Sequence, residues 1–191
     1  MRPFRHTAVL LLGAIALAAA ACGNAQILDS APAQAKAPPV LSARAVAYLP
    51  STAHRLTAQR LAREIRLPVL ADDLSHWGFR AAAERSFQGE SHRLNVVDSR
   101  TLDFTRPSGA RAYVAFVRAH VAVYIGSYPT VRAFRSAGRS GWLFRAQSCA
   151  CAGATPLWLG VASRGTRVTW LEINGPDATA ATLRTLAALA P

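Results

Sequence analysis

The sequence predicts an α+β domain in which helices pack on one face of a largely antiparallel sheet. Three observations lead to this fold class. Segments with an apolar residue at every second position alternate with segments that show helical periodicity. Turn-forming residues connect neighbouring strands, so hairpins outnumber parallel crossovers. The chain has 191 residues, of which 51% are hydrophobic, and this supplies enough apolar surface for one core.

The chain divides into three parts. We expect a signal peptide at residues 1–21, a flexible linker at 22–40 and a single globular α+β domain at 41–191. The linker contains several prolines, which favour an extended backbone. It therefore spaces the domain from the export segment.

Two helices and a hairpin are predicted in the first half of the domain. Apolar side chains recur at intervals of three and four in residues 51–67, and Pro68 ends this helix. A second helix is expected at 79–87. Alternating apolar residues in 94–104 predict a hairpin that turns at Asp98.

The second half is predicted to contain more strand than helix. In order, it has a helix at 109–119, a strand at 120–125, a short helix between 129 and 138, strands at 142–144, 157–162 and 167–173, and a final helix that includes 183–189. Pro129 lies in the first turn of the short helix, where proline is tolerated, and Gly138 ends it. The last two strands pair as a hairpin.

Residues 1–22 have the features of an export signal. Arg2 and Arg5 give a positively charged start, and residues 8–21 carry no charged side chain. This apolar run of 14 residues is shorter than the roughly 20 that a membrane-spanning helix needs. It ends in small residues that lead directly into Cys22. We therefore expect the protein to be exported.

The alanines before Cys22 resemble the lipobox of bacterial lipoproteins, in which an apolar residue and two small residues precede a lipidated cysteine. Ala19 stands where that motif usually has leucine. The resemblance implies that Cys22 carries acyl chains such as palmitate and holds the domain on the extracytoplasmic face of the membrane. The alternative is ordinary cleavage after Ala21, which would release a soluble secreted or periplasmic protein.

The charge of the chain favours an anionic partner. It has 22 basic and 10 acidic side chains, and removal of residues 1–21 takes away two arginines and no acid, which leaves +10. Export argues against nucleic acid, so the expected partner is an anionic envelope component or an envelope protein. Four arginines form the candidate anion-binding surface, of which the first three are spaced to share one side of the short helix: Arg132, Arg135, Arg139 and Arg145. The alternative is a solvated basic surface.

Cys149 and Cys151 are the other candidate site. In an oxidising compartment they form a disulfide, or they stay as inert thiols, or they serve as a redox or metal-binding thiol pair. No two histidines lie three or four residues apart, so the sequence offers no ligand set that would complete a metal site. We therefore predict no cofactor and no metal centre.

Catalytic motifs are missing from the sequence. It has no G-x-S-x-G, S-x-x-K or H-E-x-x-H pattern. Glu172 alternates with apolar neighbours and is expected to face solvent on its strand. These observations favour a non-enzymatic, lipid-anchored protein that binds or scaffolds something in the bacterial envelope. Two alternatives stay open: an envelope enzyme, either a hydrolase or a thiol redox protein, and a metal-handling protein that uses Cys149 and Cys151.

Overall fold

A computed structural model describes residues 35–125, 129–147 and 154–191. The strands in this part of the chain are β1 (Ser51–Leu56), β2 (Phe79–Gln88), β3 (Val96–Phe104), β4 (Thr130–Ser136), β5 (Arg139–Gln147), β6 (Pro156–Arg164) and β7 (Arg167–Asn174). The helices are a short 3-10 helix (Ala43–Val46), α1 (Ala58–Glu64), α2 (Val69–His76), α3 (Pro107–Ala119), α4 (Val121–Ile125) and α5 (Ala180–Leu189).

All seven strands belong to one sheet in the order β1-β2-β3-β7-β6-β5-β4, and every neighbouring pair is antiparallel. This confirms the α+β class and the antiparallel sheet. Three hairpins, β2–β3, β4–β5 and β6–β7, supply most of the pairing. The β6–β7 hairpin agrees with the hairpin predicted for residues 157–173.

The helices cover both faces of the sheet, and the expectation that they share one face is wrong. One core joins α1, α2, α3 and α4 to side chains such as Trp170 and Val168 of β7. A second core joins α5 and the 3-10 helix to Leu171 and Ile173 of the same strand. Successive side chains of a strand point to opposite faces, so the apolar residues of β7 need cover on both sides: Val168 and Trp170 on one face, Leu171 and Ile173 on the other.

Three predictions for the first half of the domain differ from the structure. Residues 79–87 form most of β2 rather than a helix, since pairing with β3 outweighs the helical preference of their alanines. The predicted turn at Asp98 lies inside β3, which is one continuous strand of the β2–β3 hairpin. The helix predicted over 51–67 begins only at Ala58, because Thr57 caps it and the residues before it form β1.

Residues 120–136 also differ from the prediction. The β-branched run expected as a strand forms the short helix α4, directly after His120 ends α3. The short helix expected between 129 and 138 is the strand β4. Ala137 and Gly138 have φ values of +48° and +73°, the backbone that a tight hairpin turn requires, so Gly138 turns β4 into β5 instead of ending a helix.

Arg139 attaches α5 to the sheet. Its side chain is only 4% exposed, and its Nε donates a hydrogen bond to Thr169 Oγ1 at 3.1 Å. Its terminal nitrogens donate to the main-chain oxygens of Ala187, Ala190 and Pro191. The carbonyls of a helix C-terminus have no partner within the helix, and a guanidinium satisfies them and interacts favourably with the helix dipole.

We predict that Arg139→Ala lowers the free energy of unfolding by about 3 kcal/mol, because the buried carbonyls of α5 lose their donors. The matched control is Arg135→Ala, an exposed arginine of the neighbouring strand, for which we expect a change within about 0.5 kcal/mol. Urea unfolding followed by circular dichroism measures both. Equal effects of the two variants would contradict this role for Arg139.

Candidate functional site

A pocket of about 460 Å³ lies at the β1–β3 end of the sheet, on the face that carries α1. We call it the carboxylate pocket. Its lining residues are Pro50, Ser51, Thr52, His54, Arg60, Glu84, Ser86, Gln88, Asp98 and Arg100. They come from three adjacent strands, the residue before β1, and helix α1, so secondary structure fixes most of the pocket wall.

Strand register brings the polar side chains together in two rows across the sheet. In the first row, His54 of β1 is opposite Glu84 of β2, which is opposite Arg100 of β3. In the second row, Ser86 is opposite Asp98, and Asp98 is opposite Glu172 of β7. Residues paired in register share a face, so these two rows point toward α1.

Arg100 is the centre of the first row. Its Nε donates to Glu84 Oε1 at 2.6 Å, and its Nη1 lies 3.0 Å from Glu64 Oε2 of α1. Burial disfavours the charged guanidinium, but the two carboxylates outweigh burial and raise the pKa of Arg100. Arg60 pairs with the other oxygen of Glu64 at 3.2 Å. Both arginines of the pocket therefore already have carboxylate partners.

Asp98 and Glu172 have no such partner. Among the described residues, neither carboxyl forms an ion pair, and Asp98 accepts one hydrogen bond, from Ser86 Oγ at 2.5 Å. Burial raises the pKa of Asp98, and the nearby Glu84 adds to this rise. Burial also raises the pKa of Glu172 to about 7, and the charge of Asp98 contributes. Glu172 is thus partly buried, contrary to the expectation that it faces solvent.

Two tyrosines and a tryptophan pack beside the carboxyls. The ring of Tyr124 from α4 lies 4.7 Å from that of Trp170, measured between centroids, and the Arg100 guanidinium lies 5.4 Å from the same tryptophan. Burial raises the pKa of Tyr113 to about 12 and holds the pKa of Tyr124 well above its ordinary value. Both hydroxyls stay neutral, so the two tyrosines shield this side of the carboxyls from solvent and add no charge.

A larger groove of about 670 Å³ lies on the opposite face, between the 3-10 helix and α5. Alanine, threonine and leucine side chains form much of its wall. Its charged pair, Arg93 and Asp177, is 3.6 Å apart with both side chains more than half exposed. Solvent and salt weaken an exposed pair of this kind. The carboxylate pocket is therefore the better candidate for specific chemistry.

The structure does not bring the four predicted anion-binding arginines onto one surface. Arg132 and Arg135 are exposed on β4, where they point to opposite faces because they are three positions apart in a strand. Arg145 is exposed on β5, 5.7 Å from the Trp158 ring. Arg139 is buried against α5. Anion binding by the three exposed arginines stays a prediction.

The three cysteines lie outside the described residues. Lipidation of Cys22, and a disulfide or thiol site at Cys149 and Cys151, therefore stay predictions. Within the described ranges, no three His, Cys, Asp or Glu side chains have an arrangement that would hold a metal ion. No helix in the same ranges has the length and apolar character to cross a membrane.

The carboxylate pocket was not predicted from the sequence. Glu84 lies on a strand that was predicted as a helix, and Arg100 lies on a strand that was predicted as part of a hairpin, so their shared face was not apparent. One signal was present: Arg100 follows Asp98 by two residues, and such residues share a face of a strand. Recognition of one continuous β3 would have placed both side chains on the same face of the sheet.

Comparisons with known proteins give little further information. No protein-family model and no curated protein matches the chain. Among solved structures, the chain is similar to the extracellular domain of PknH from Mycobacterium tuberculosis, with a TM-score of 0.38 and 12% identity over 74% of this chain and 76% of that chain. A similarity this distant does not transfer a function from one protein to the other.

We predict that Glu172→Gln stabilises the protein at pH 8 by as much as about 3 kcal/mol and changes little at pH 4. The pKa of Glu172 rises from 4.5 to about 7 on folding. Between these values the folded state binds more protons than the unfolded state, so stability falls as the pH rises, and glutamine removes this loss. Urea unfolding across this pH range, with the exposed Glu90→Gln as the control, measures the effect. A pH-independent difference would contradict it.

Proposed function

We propose that the protein is an extracytoplasmic binding protein, anchored to the membrane through a lipid on Cys22, whose carboxylate pocket binds a small ligand with a positively charged group. The export signal and the lipobox resemblance support the location. The ligand class rests on one observation. Asp98, which lines the pocket, and Glu172, opposite it on β7, are desolvated carboxyls that form no ion pair with any described residue, next to two arginines that are already paired.

The local charges favour a cationic ligand. Four acidic side chains, out of ten in the whole chain, surround two arginines: Glu64, Glu84, Asp98 and Glu172. A buried carboxylate is costly unless a cation or several donors compensate it. A ligand ammonium or guanidinium beside Asp98 would supply that compensation. The net positive charge elsewhere opposes this only weakly, because salt screens it beyond about 8 Å.

The size and the remaining lining residues suit a small polar ligand. A volume of about 460 Å³ falls within the range of small-molecule sites. Thr52, Ser86 and Gln88 offer hydroxyl and amide groups that hydrogen-bond neutral parts of a ligand, and His54 adds a ring nitrogen. The expected ligand is therefore an amine or guanidine compound with further polar groups.

A second candidate function is acid–base catalysis by the same pair of carboxyls. The observation that favours it is the pKa of about 7 at Glu172 beside the charge of Asp98, since catalytic acids and bases often have such perturbed values. In that case Glu172 would donate and accept the proton, and the protein would be an envelope hydrolase. Turnover of a ligand that binds in the pocket distinguishes this function from binding alone.

We predict that the purified protein binds 1,4-diaminobutane and not the uncharged 1,4-butanediol. Affinity should rise by about tenfold per pH unit between pH 5 and 6.5, because the bound cation displaces a proton from Glu172. Asp98→Asn should weaken binding, whereas the exposed Glu90→Gln should leave it unchanged. Isothermal titration calorimetry measures these affinities. Equal binding of the diol, or affinity independent of pH, would refute the proposed ligand class.

We predict that the membrane-associated protein carries acyl chains on Cys22, because several buried chains give stable anchoring at about 0.8 kcal/mol per CH₂. Cys22→Ala should remove the lipid, whereas Ala19→Leu, which restores the usual lipobox residue, should preserve it. Intact-mass measurement after membrane fractionation tests both variants. Membrane association with an unmodified Cys22 would contradict anchoring by lipid.

A further inference from the structure

Strand β4 forms one edge of the sheet. In the part of the chain that the structure describes, it pairs with β5 on one side and with no element on the other. Most of its side chains are exposed, including Val131 at 41%. An edge strand presents a row of unpaired N–H and C=O groups, onto which another extended backbone can add.

A groove of about 330 Å³ lies between this edge strand and α3. Helix α3 packs mainly on the central strands β3, β6 and β7 and so leaves the adjacent face of β4 uncovered. Ala115 of α3, Ala133 of β4 and the half-buried Trp142 of β5 provide apolar surface in the groove. An added strand would thus find both backbone partners and a place for side chains.

The charge around this groove is entirely positive. Arg111 and Arg135 line it, and the Arg118 guanidinium lies 3.8 Å from the centre of the Trp142 ring. No acidic residue occurs anywhere in residues 104–171, a stretch that contains nine arginines and includes α3, β4, β5 and β6. The electrostatic potential in the groove is therefore positive, which favours an acidic partner.

We propose that the free edge of β4, together with the groove between β4 and α3, binds an acidic segment of a partner protein in extended conformation. The segment adds to the sheet beside β4, and its side chains alternate between the two faces. Its acidic side chains lie on the α3 face, where they meet Arg135 and Arg111, and its other side chains lie on the opposite face beside Arg132. This site is separate from the carboxylate pocket and does not depend on the ligand proposed there.

Two other occupants fit less well. A second copy of the chain that paired through its own β4 would bring Arg132 and Arg135 of both copies together, and like charges across paired strands are destabilising. A phosphate polymer or an anionic lipid surface satisfies the arginines but has no peptide backbone to pair with the strand edge. The combination of unpaired backbone and positive charge selects an acidic peptide.

The test uses the full-length protein in detergent and a fluorescein-labelled peptide of nine residues that alternates valine and glutamate. We expect saturable binding by fluorescence anisotropy. Arg135→Glu and Arg111→Glu should each raise Kd by about tenfold, since each reverses a charge that contacts the peptide. The matched control, Arg44→Glu on the exposed surface of the 3-10 helix, changes the net charge equally and should have little effect. Circular dichroism checks that each variant is folded.

Two further peptides separate strand addition from simple charge attraction. A valine–lysine peptide of the same length should not bind, and a valine–glutamate peptide N-methylated at alternate residues should bind at least about tenfold more weakly. Undiminished binding of the N-methylated peptide overturns the proposal in favour of anion binding by charge alone. Equal weakening by Arg44→Glu, binding of the lysine peptide, or no binding of the glutamate peptide also overturns it.

Discussion

The ion pairs of Arg100 hold the carboxylate pocket together. This one guanidinium contacts Glu84 on the neighbouring strand and Glu64 on helix α1, and it lies against Trp170 on the other side. It therefore fixes α1 over the sheet. It also neutralises the carboxylates of Glu64 and Glu84, which would otherwise be available to a cation. Two of the four acids therefore stabilise the fold, whereas Asp98, which lines the pocket, and Glu172, opposite it on β7, form no ion pair with a described residue. Removal of one partner from such a buried network exposes the others to the full cost of desolvation.

Strand pairing explains why the sequence predicted some elements and missed others. The β6–β7 hairpin was predictable because its strands are strongly apolar and Gly165, with φ +58°, allows a tight turn. Helix α3 was predictable from its apolar periodicity. Strand β2 was missed because Ala81, Ala82 and Ala83 favour a helix locally, and only the neighbouring strands β1 and β3 impose the extended form.

The candidate sites were harder to predict than the fold, for the same reason. The carboxylate pocket depends on register: Asp98 lies opposite Glu172 through a pairing of β3 with β7, which are about 70 residues apart in the chain. Local sequence pattern carries no information on such a pairing. The predicted arginine surface depended on a helix between 129 and 138, and the extended β4 separates Arg132 from Arg135. Residues three positions apart are neighbours on a helix but point to opposite faces of a strand. The arginines were therefore identified correctly, but their spatial arrangement was not.

The strand order also determines how the two proposed sites influence each other. Four strand spacings, each about 4.8 Å, separate β3 at the carboxylate pocket from β4 at the opposite edge, which is about 19 Å. This is more than twice the Debye length of about 8 Å in physiological salt. Charges bound at the two proposed sites would therefore be largely screened from each other where solvent lies between them. Any coupling between them would have to pass mechanically through the sheet.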